Sequence, residues 1–438
     1  MENNQKMKVA FFLKNELIPG IDWREITKGN PGCGGSEYII VLTAYVLTIR
    51  KNYDITLFAQ KESRFPEELN IVYTNDLREA IYYCDKENIS FLIFKEYPRW
   101  ISENCFHNIP KSVNLILWCH NFLPSSSLDF YTTIPNIKSV ICVGREQADL
   151  YLDHKLFDKI DYIYNGFPIP NHPDKHLPPI DKRKNIVTYI GSIMSSKGFH
   201  ILAKAWPMIL KAAPNAQLYV IGSGQVYDDK RTMGKYGIAD EDYEKIFMPY
   251  LTDKNGDILP SVHFMGRMGS EKSEIIKQTK VGVPNPSGDT ETFGIGAVEF
   301  QIMGCEVVTR RCCGYLDTVY NKTNLYKQRK AKSLAKNVIR SLKSPSTRFQ
   351  ESYDFIKTNF SIEHTCASWE KLFETLSNGG NKIHNFKQNI PNKDFQWKWF
   401  RIIYRDINQI FKYRLPCMAT WRENRFIRHL IWISYKHF

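Results

Sequence analysis

The chain has 438 residues, enough for two to three domains. Hydrophobic residues make up 43% and charged residues 24%, which excludes a disordered or fibrous chain. Lys plus Arg outnumber Asp plus Glu by 59 to 46, and the resulting +13 points to a polyanionic partner: phosphates, nucleic acid or an anionic membrane.

From the N-terminus, Met1 to Met7 is short and polar, and no apolar signal region follows, so no secretory leader is expected. Lys8–Lys14 (KVAFFLK) reads as a first buried strand. A loop carrying Gly34-Gly35 leads into a helix from about Ser36 to Arg50. Ile55–Ala59, Phe91–Phe94, Asn114–Cys119 and Ser139–Val143 are further apolar strand candidates. Strands without alternation, set between helices, imply a parallel sheet covered on both faces. Residues 1–170 therefore read as one Rossmann-like, doubly wound domain. Pro168, Pro170, Pro173, Pro178 and Pro179 then crowd into a linker at 171–184. The pattern restarts over 185–380, with strands at Asn185–Ile190, Gln217–Ile221, Val262–Met265, Val281–Val283 and Glu306–Thr309 and helices at His200–Ala212 and Ile295–Met303. Two such α/β domains face a cleft, and ligands bind at the carboxyl ends of their strands. Ten cysteines without C-x-x-C pairs read as reduced, buried thiols, and the cell interior is the expected location.

Three stretches carry chemistry. In Pro286–Gly304 (PSGDTETFGIGAVEFQIMG), two carboxylates, Glu291 and Glu299, are eight positions apart. A helix beginning near Phe293, with Gly294 and Gly296 in its first turn, offers backbone N–H groups to an anion. Glu299 is expected about two turns farther along it. Such spacing suits a phosphate flanked by two polyhydroxylated groups, since carboxylates take strong hydrogen bonds from hydroxyls. In the second stretch, Gly191 ends a strand and Lys197-Gly198 sits on the loop to a helix, where a lysine can meet a phosphate. In the third, Gly32–Glu37 (GCGGSE) gives close backbone access after the first strand. The D-x-D match Asp240-Glu241-Asp242 lies far from these motifs and reads as a solvated segment, so no metal is expected.

Together, Gly34-Gly35, Asn165-Gly166 (IYNGF), the G-x5-KG at Gly191–Gly198, Val262–Gly266 (VHFMG) and the E-x7-E at Glu291 and Glu299 occur in one family's order. The chain resembles glycosyltransferase family 4, the retaining sugar-nucleotide transferases of the GT-B fold, over roughly residues 8 to 376. The resemblance implies catalytic roles for Glu291 on the donor sugar, Lys197 on the diphosphate and His120 (in WCHNF) in the cleft. It implies donor binding by Glu299 on the ribose, by backbone at Thr292, Phe293 and Gly294, and by Gly34 and Gly35 on the phosphate and acceptor side. It implies no cofactor beyond the nucleotide-sugar substrate, and a glycan or lipid-linked acceptor in the synthesis of surface polysaccharide, lipopolysaccharide or capsule. Where the family usually has an Arg after the first glycine of the G-x5-KG loop, this chain has Ser192; Arg267, beside Gly266, is the candidate replacement. A sugar-nucleotide epimerase of the same fold and an inactive membrane-bound scaffold are the alternatives.

The tail, 381–438, is different in kind. From Lys387 onward it holds eleven Lys or Arg against three Asp or Glu, a net +8 that leaves only +5 for residues 1–386. Four of the nine Trp are here: Trp397, Trp399, Trp421 and Trp432. Lys398, Arg401, Arg405, Asn408 and Lys412 fall on one side of a predicted helix, and Trp399, Phe400, Ile403, Ile407, Ile410 and Phe411 on the other. A second segment follows from Trp421 to Tyr435. Basic, aromatic amphipathic helices lie in membrane interfaces. A peripheral site on an anionic membrane surface is expected, with packing of the aromatic faces on the body as the alternative. The body shows no basic recognition motif, so nucleic acid is not an expected partner. No apolar run reaches about 20 residues, so no spanning helix is expected.

Overall fold

The computed structural model describes residues 6–18, 20–226, 232–386 and 390–423. In the first domain, β1 (Lys8–Leu13), β2 (Asp54–Ala59), β3 (Asn70–Tyr73), β4 (Phe91–Lys95), β5 (Asn114–Cys119), β6 (Ile137–Cys142) and β7 (Ile160–Tyr162) form one sheet. All its pairs are parallel, in the order β3-β2-β1-β4-β5-β6-β7. Helices α1 (Gly35–Arg50), α2 (Leu77–Lys86), α3 (Pro98–Ser102), α4 (Ser125–Thr132) and the short α5 (Arg145–Ala148) occupy the connections. The central strands are apolar on both faces because both faces are covered. Val9, Phe11 and Leu13 point into one core and Ala10 and Phe12 into the other.

The second domain repeats the plan with β8 (Ile186–Ile190), β9 (Gln217–Ile221), β10 (Val262–Gly266), β11 (Val281–Gly282) and β12 (Glu306–Val307). They are parallel in the order β10-β9-β8-β11-β12. Its first helices are α6 (Phe199–Ala212), α7 (Glu241–Phe247), α8 (Lys272–Gln278) and α9 (Ile295–Ile302). Gly282 lacks a Cβ where the Phe300 ring presses on the strand, which seats α9 against the sheet. A small parallel pair, Thr309–Arg310 with Leu325–Tyr326, follows, and α10 (Cys313–Thr318) and α11 (Ala331–Lys343) complete the unit.

The chain then crosses back, although the sequence reading carries the second domain on to residue 380. Helices α12 (Phe349–Phe360) and α13 (Ile362–Ser377) bring Tyr353, Ile356, Trp369 and Phe373 into the same core as β1 and α1. Helix α1 is apolar nearly all round because α13 covers the side that the sheet leaves open. The Asn165-Gly166 motif marks the crossing. A Cβ on Gly166 would sit 2.7 Å from the Ile362 Cα. Phe167 bonds across this gap, its N–H to the Phe360 carbonyl (2.8 Å) and its carbonyl to the Ile362 N–H (2.9 Å).

The last described elements are α14 (Lys398–Ile410) and α15 (Met418–Glu423). The second amphipathic segment expected from Trp421 lies almost wholly outside the described residues. All ten cysteines are buried.

Candidate functional site

In each sheet the strand order reverses beside the first strand, between β1 and β4 and between β8 and β11. A doubly wound sheet opens a crevice at such a point. The predicted site residues gather at these two crevices, which face one another.

At the second-domain crevice, β8 runs into Gly191, and the next turn carries Lys197. Gly198 closes that turn at φ 71°, and a Cβ there would stand 2.6 Å from the Ser287 Cβ. Ser287 Oγ donates to the Ser196 carbonyl (2.6 Å), tying the Lys197 turn to the loop after β11. The Lys197 ammonium then reaches Glu291 Oε2 at 3.1 Å. Asn285 Nδ2 donates to the same oxygen at 2.8 Å, fixing the carboxylate from a second side. Asn285 was not anticipated; its adjacency to the Pro286 loop was the available signal.

The loop turns sharply through Gly288 (φ 65°) and Thr290 (φ 57°). Gly294, at φ 92°, is the N-cap of α9, packed where a Cβ would strike the Tyr315 ring. The helix starts at Ile295 rather than Phe293, because the left-handed Gly294 breaks the helical backbone. Glu299 is therefore only about one turn in, not two. It is buried and pairs with the Lys272 ammonium of α8 at 2.8 Å. No sequence spacing indicated Lys272. Phe293 presents its ring to Tyr164 and Phe360, so only its backbone faces the loop. Ser192, at the position of the missing arginine, is buried, and among the described residues its hydroxyl has no hydrogen-bond partner.

Arg267 points to the first domain. Its guanidinium donates to the Gly32 carbonyl of the first domain at 3.2 Å. Arg310 lies closer to the loop: it holds the Ser287 carbonyl (2.8 Å) and Asp289 (3.1 Å), and Arg329 grips the other Asp289 oxygen at 2.5 Å. Asp240, from the D-x-D match, caps α7 by accepting from the Tyr243 N–H (3.0 Å). Among the described residues no group of three or more His, Cys, Asp or Glu is placed to hold a metal.

The first domain meets this loop directly. His120 follows β5, and its carbonyl accepts from the Thr292 hydroxyl at 2.6 Å. Its ring lies against Trp118, and among the described residues Nε2 has no hydrogen-bond partner. Burial, helped by the charge of Lys95 and opposed by Glu37, brings this imidazole down to about 3. His120 is therefore neutral at neutral pH. The unfolded chain takes up this proton near pH 6.5 and the folded chain does not, so stability falls as pH drops from there toward 3. This one group contributes at most about 1.4 kcal/mol per pH unit. Urea unfolding of His120→Asn should show a shallower loss on acidification than the wild type; an unchanged slope would refute the assignment.

Gly34 and Gly35 open α1 at the tip of β1. A cavity of about 150 Å³ lies beside them, lined in part by Lys14, Glu37, Lys95, Tyr97 and Trp100. Lys95 pairs with Glu37 at 2.7 Å. Burial would raise the Glu37 carboxyl, but the charge and hydrogen bond of Lys95 outweigh it and hold Glu37 below the usual range. The Lys14 ammonium lies 4.3 Å from the centre of the Tyr97 ring.

The interface is locked elsewhere by Asp317 of α10, which accepts from the Glu146 N–H (3.0 Å) and the Tyr164 hydroxyl (3.1 Å) of the first domain.

Residues 173–357 match the family model described as glycosyl transferases group 1. This span contains Lys197, Glu291 and Glu299. A search of curated proteins finds no match. Solved structures share the fold over most of their length. A glycosyltransferase from Rickettsia africae superposes with a TM-score of 0.61 at 14% identity, over 85% of this chain and 100% of the other. Anabaena HepE in complex with UDP and glucose gives 0.60 at 14% identity, over 85% and 99%. Sucrose-phosphate synthase from Thermosynechococcus elongatus gives 0.62 at 16% identity, over 86% and 100%. The architecture is GT-B: two Rossmann-like domains forming a cleft, here with a C-terminal helical extension.

Proposed function

We propose that the protein is a retaining glycosyltransferase that moves a sugar from a nucleotide-sugar donor to a glycan or lipid-linked acceptor without a metal. The observation that carries this reading is the Lys197–Glu291–Asn285 cluster beside the start of α9, inside the segment that matches the transferase family.

Breaking a sugar–phosphate bond leaves positive charge on the sugar and negative charge on the departing diphosphate. Lys197 and the backbone N–H groups from Thr292 to Gly294 meet the diphosphate. Such preorganised donors lower a barrier by several kcal/mol. Glu291, held by Lys197 and Asn285, accepts from sugar hydroxyls. Glu299 receives the ribose diol, with the Lys272 ammonium holding the carboxylate in place at 2.8 Å. His120, neutral and with an unengaged ring nitrogen, faces the sugar from the first domain. The Lys14–Lys95–Tyr97 cavity, at the first domain's crevice, receives the acceptor. UDP-sugars are the first donors to test, since relatives of this fold were solved with UDP and with UDP-glucose.

A thermal-shift screen against UDP-, GDP- and ADP-sugars tests the reading. A donor at a hundredfold its Kd adds about 2.7 kcal/mol to stability, which should raise Tm by several degrees for one base and not the others. Turnover of that donor should follow. Binding without turnover would leave an inactive scaffold. No shift with any donor, and no effect of Glu291→Ala on any sugar-nucleotide hydrolysis, would end the proposal.

A further inference from the structure

Helix α14 sits on the body the opposite way round from the alternative in which its aromatic face packs inward. Its cationic side faces inward. Lys398 is fully buried between Glu146 (2.8 Å) and Asp149 (3.0 Å), and Arg401 is buried against Asp153 (2.8 Å) and the Leu150 carbonyl (2.8 Å). Asn408 and Tyr404 complete this inner side. The apolar side faces outward: Trp399, Ile403 and Phe411 are about half exposed, Ile410 is 79% exposed, and Trp397 and Ile407 are open as well. Trp399, Ile403, Ile407 and Ile410 step by four, four and three, so they form a single stripe. Trp397 and Trp399 stand at one end of the stripe and Phe411 at the other.

We infer that this outward stripe is a lipid-insertion surface, which docks the protein on an anionic bilayer through apolar side chains rather than through the helix's own basic face. Three observations favour a bilayer over another occupant. Aromatic side chains flank aliphatic ones, the arrangement that suits the boundary between headgroups and acyl chains. The exposed charges beside the stripe are mainly basic: Lys393, Lys412 and Arg414, while Asp406 is paired with Arg405 at 2.8 Å and Asp394 with Arg311 at 3.1 Å. Beyond Glu423 the chain continues for fifteen residues with Arg425, Arg428 and Lys436 and no acid, interleaved with Phe426, Ile427, Leu430, Ile431 and Trp432. The electrostatic attraction to anionic lipid thus comes from the rim and the terminal stretch. The inner cations serve only to anchor the helix. Among the described residues no helix is long and apolar enough to cross a membrane, so the contact is a surface one.

The test is co-sedimentation of the full chain with phosphatidylcholine vesicles, with and without phosphatidylglycerol. The wild type should pellet with the anionic vesicles. Trp399→Ser/Ile403→Ser/Ile410→Ser should lower the bound fraction at least about tenfold, with donor hydrolysis unchanged as proof of fold. The single variant Ile410→Ser gives a smaller loss and guards against misfolding of the triple. Lys412→Ser/Arg414→Ser should weaken binding to anionic vesicles only. Equal binding by the triple variant and the wild type would overturn the proposal. So would a wild type that ignores both kinds of vesicle, which would mean that the stripe is already covered. A wild-type dimer that the triple variant converts to monomers without vesicle binding would assign the stripe to a second copy instead.

Discussion

Replacing Lys197 with alanine should lower kcat for sugar transfer by roughly a hundred- to a thousandfold, the range seen when one preorganised charge-stabilising donor is lost. The lysine has been given a place before any ligand arrives. Gly198 closes its turn at φ 71°, Ser287 fastens the turn to the opposite loop, and Glu291 draws the ammonium to 3.1 Å. It is also the chain's principal candidate cation for the diphosphate: the position after Gly191 holds Ser192, and the guanidinium of Arg267 is turned to Gly32. Folding should hardly notice the change. The pair is partly exposed, and pairs of that kind contribute about 0–1 kcal/mol. A large fall in kcat with Tm moved by no more than a few degrees is the expected result. Lys197→Arg should recover only part of the rate, since a planar fork does not fill the place of a compact ammonium. Near-normal turnover by Lys197→Ala would show that another group carries the diphosphate charge, and Arg310, which braces the same loop, would be the next to replace.

Much of the architecture is legible in local sequence. Continuous apolar runs such as KVAFFL and NLILWC mark strands buried on both faces, and the Gly-rich loops after them mark the crevices. The edge strands are not legible. Asn70–Tyr73 is half exposed, and Ile160–Tyr162 is three residues long with a buried Asp161 that accepts from the tail, so neither looks like a core strand. The site divides in the same way. Glu291 and Lys197 stand in local motifs, but Lys272 reaches Glu299 across 27 positions and has no motif of its own. The tail shows this limit most clearly. Helical periodicity separates its two faces correctly, and nothing within 398–410 says which one is buried. That decision belongs to Glu146, Asp149 and Asp153, some 250 positions earlier, whose spacing of three and four matches the Lys398–Arg401 step. Three acids spaced three and four apart, on α5 and the turns that follow it, were the signal available.

That buried electrostatic joint sets the largest stability effect expected anywhere in the chain. Lys398→Ala should cost about 3–5 kcal/mol, because it strands buried carboxylates without their cation. Lys398 is wholly buried, and Glu146 beside it is 1% exposed at its side chain. Burial raises the Glu146 carboxyl, while Lys398 pulls it back down. Without the lysine, that group should rise further in the folded state. A carboxyl raised on folding contributes its stability below the unfolded value and loses it as pH climbs through the raised one, so the cost of Lys398→Ala should grow with pH. Asp149 keeps a second partner, Arg145 at 3.0 Å, and among the described residues the Glu146 carboxylate keeps only the Asn392 amide at 2.7 Å. The double variant Lys398→Met/Glu146→Gln should therefore recover most of the loss, where a purely steric role for the lysine would predict no rescue. Arg405→Ala, which breaks an exposed pair, should change stability by less than about 1 kcal/mol. The same joint bears on truncation. Ending the chain after Asn385 removes Lys398 and Arg401 together and leaves Glu146, Asp149 and Asp153 facing an empty groove. It also strips Phe395 from beneath Arg311 and from the core of the second domain. Such a truncated chain should unfold at a markedly lower temperature than the full one. A shortened protein with an unchanged melting point would mean that the tail only rests on the body, and that its inner cations are not part of the fold.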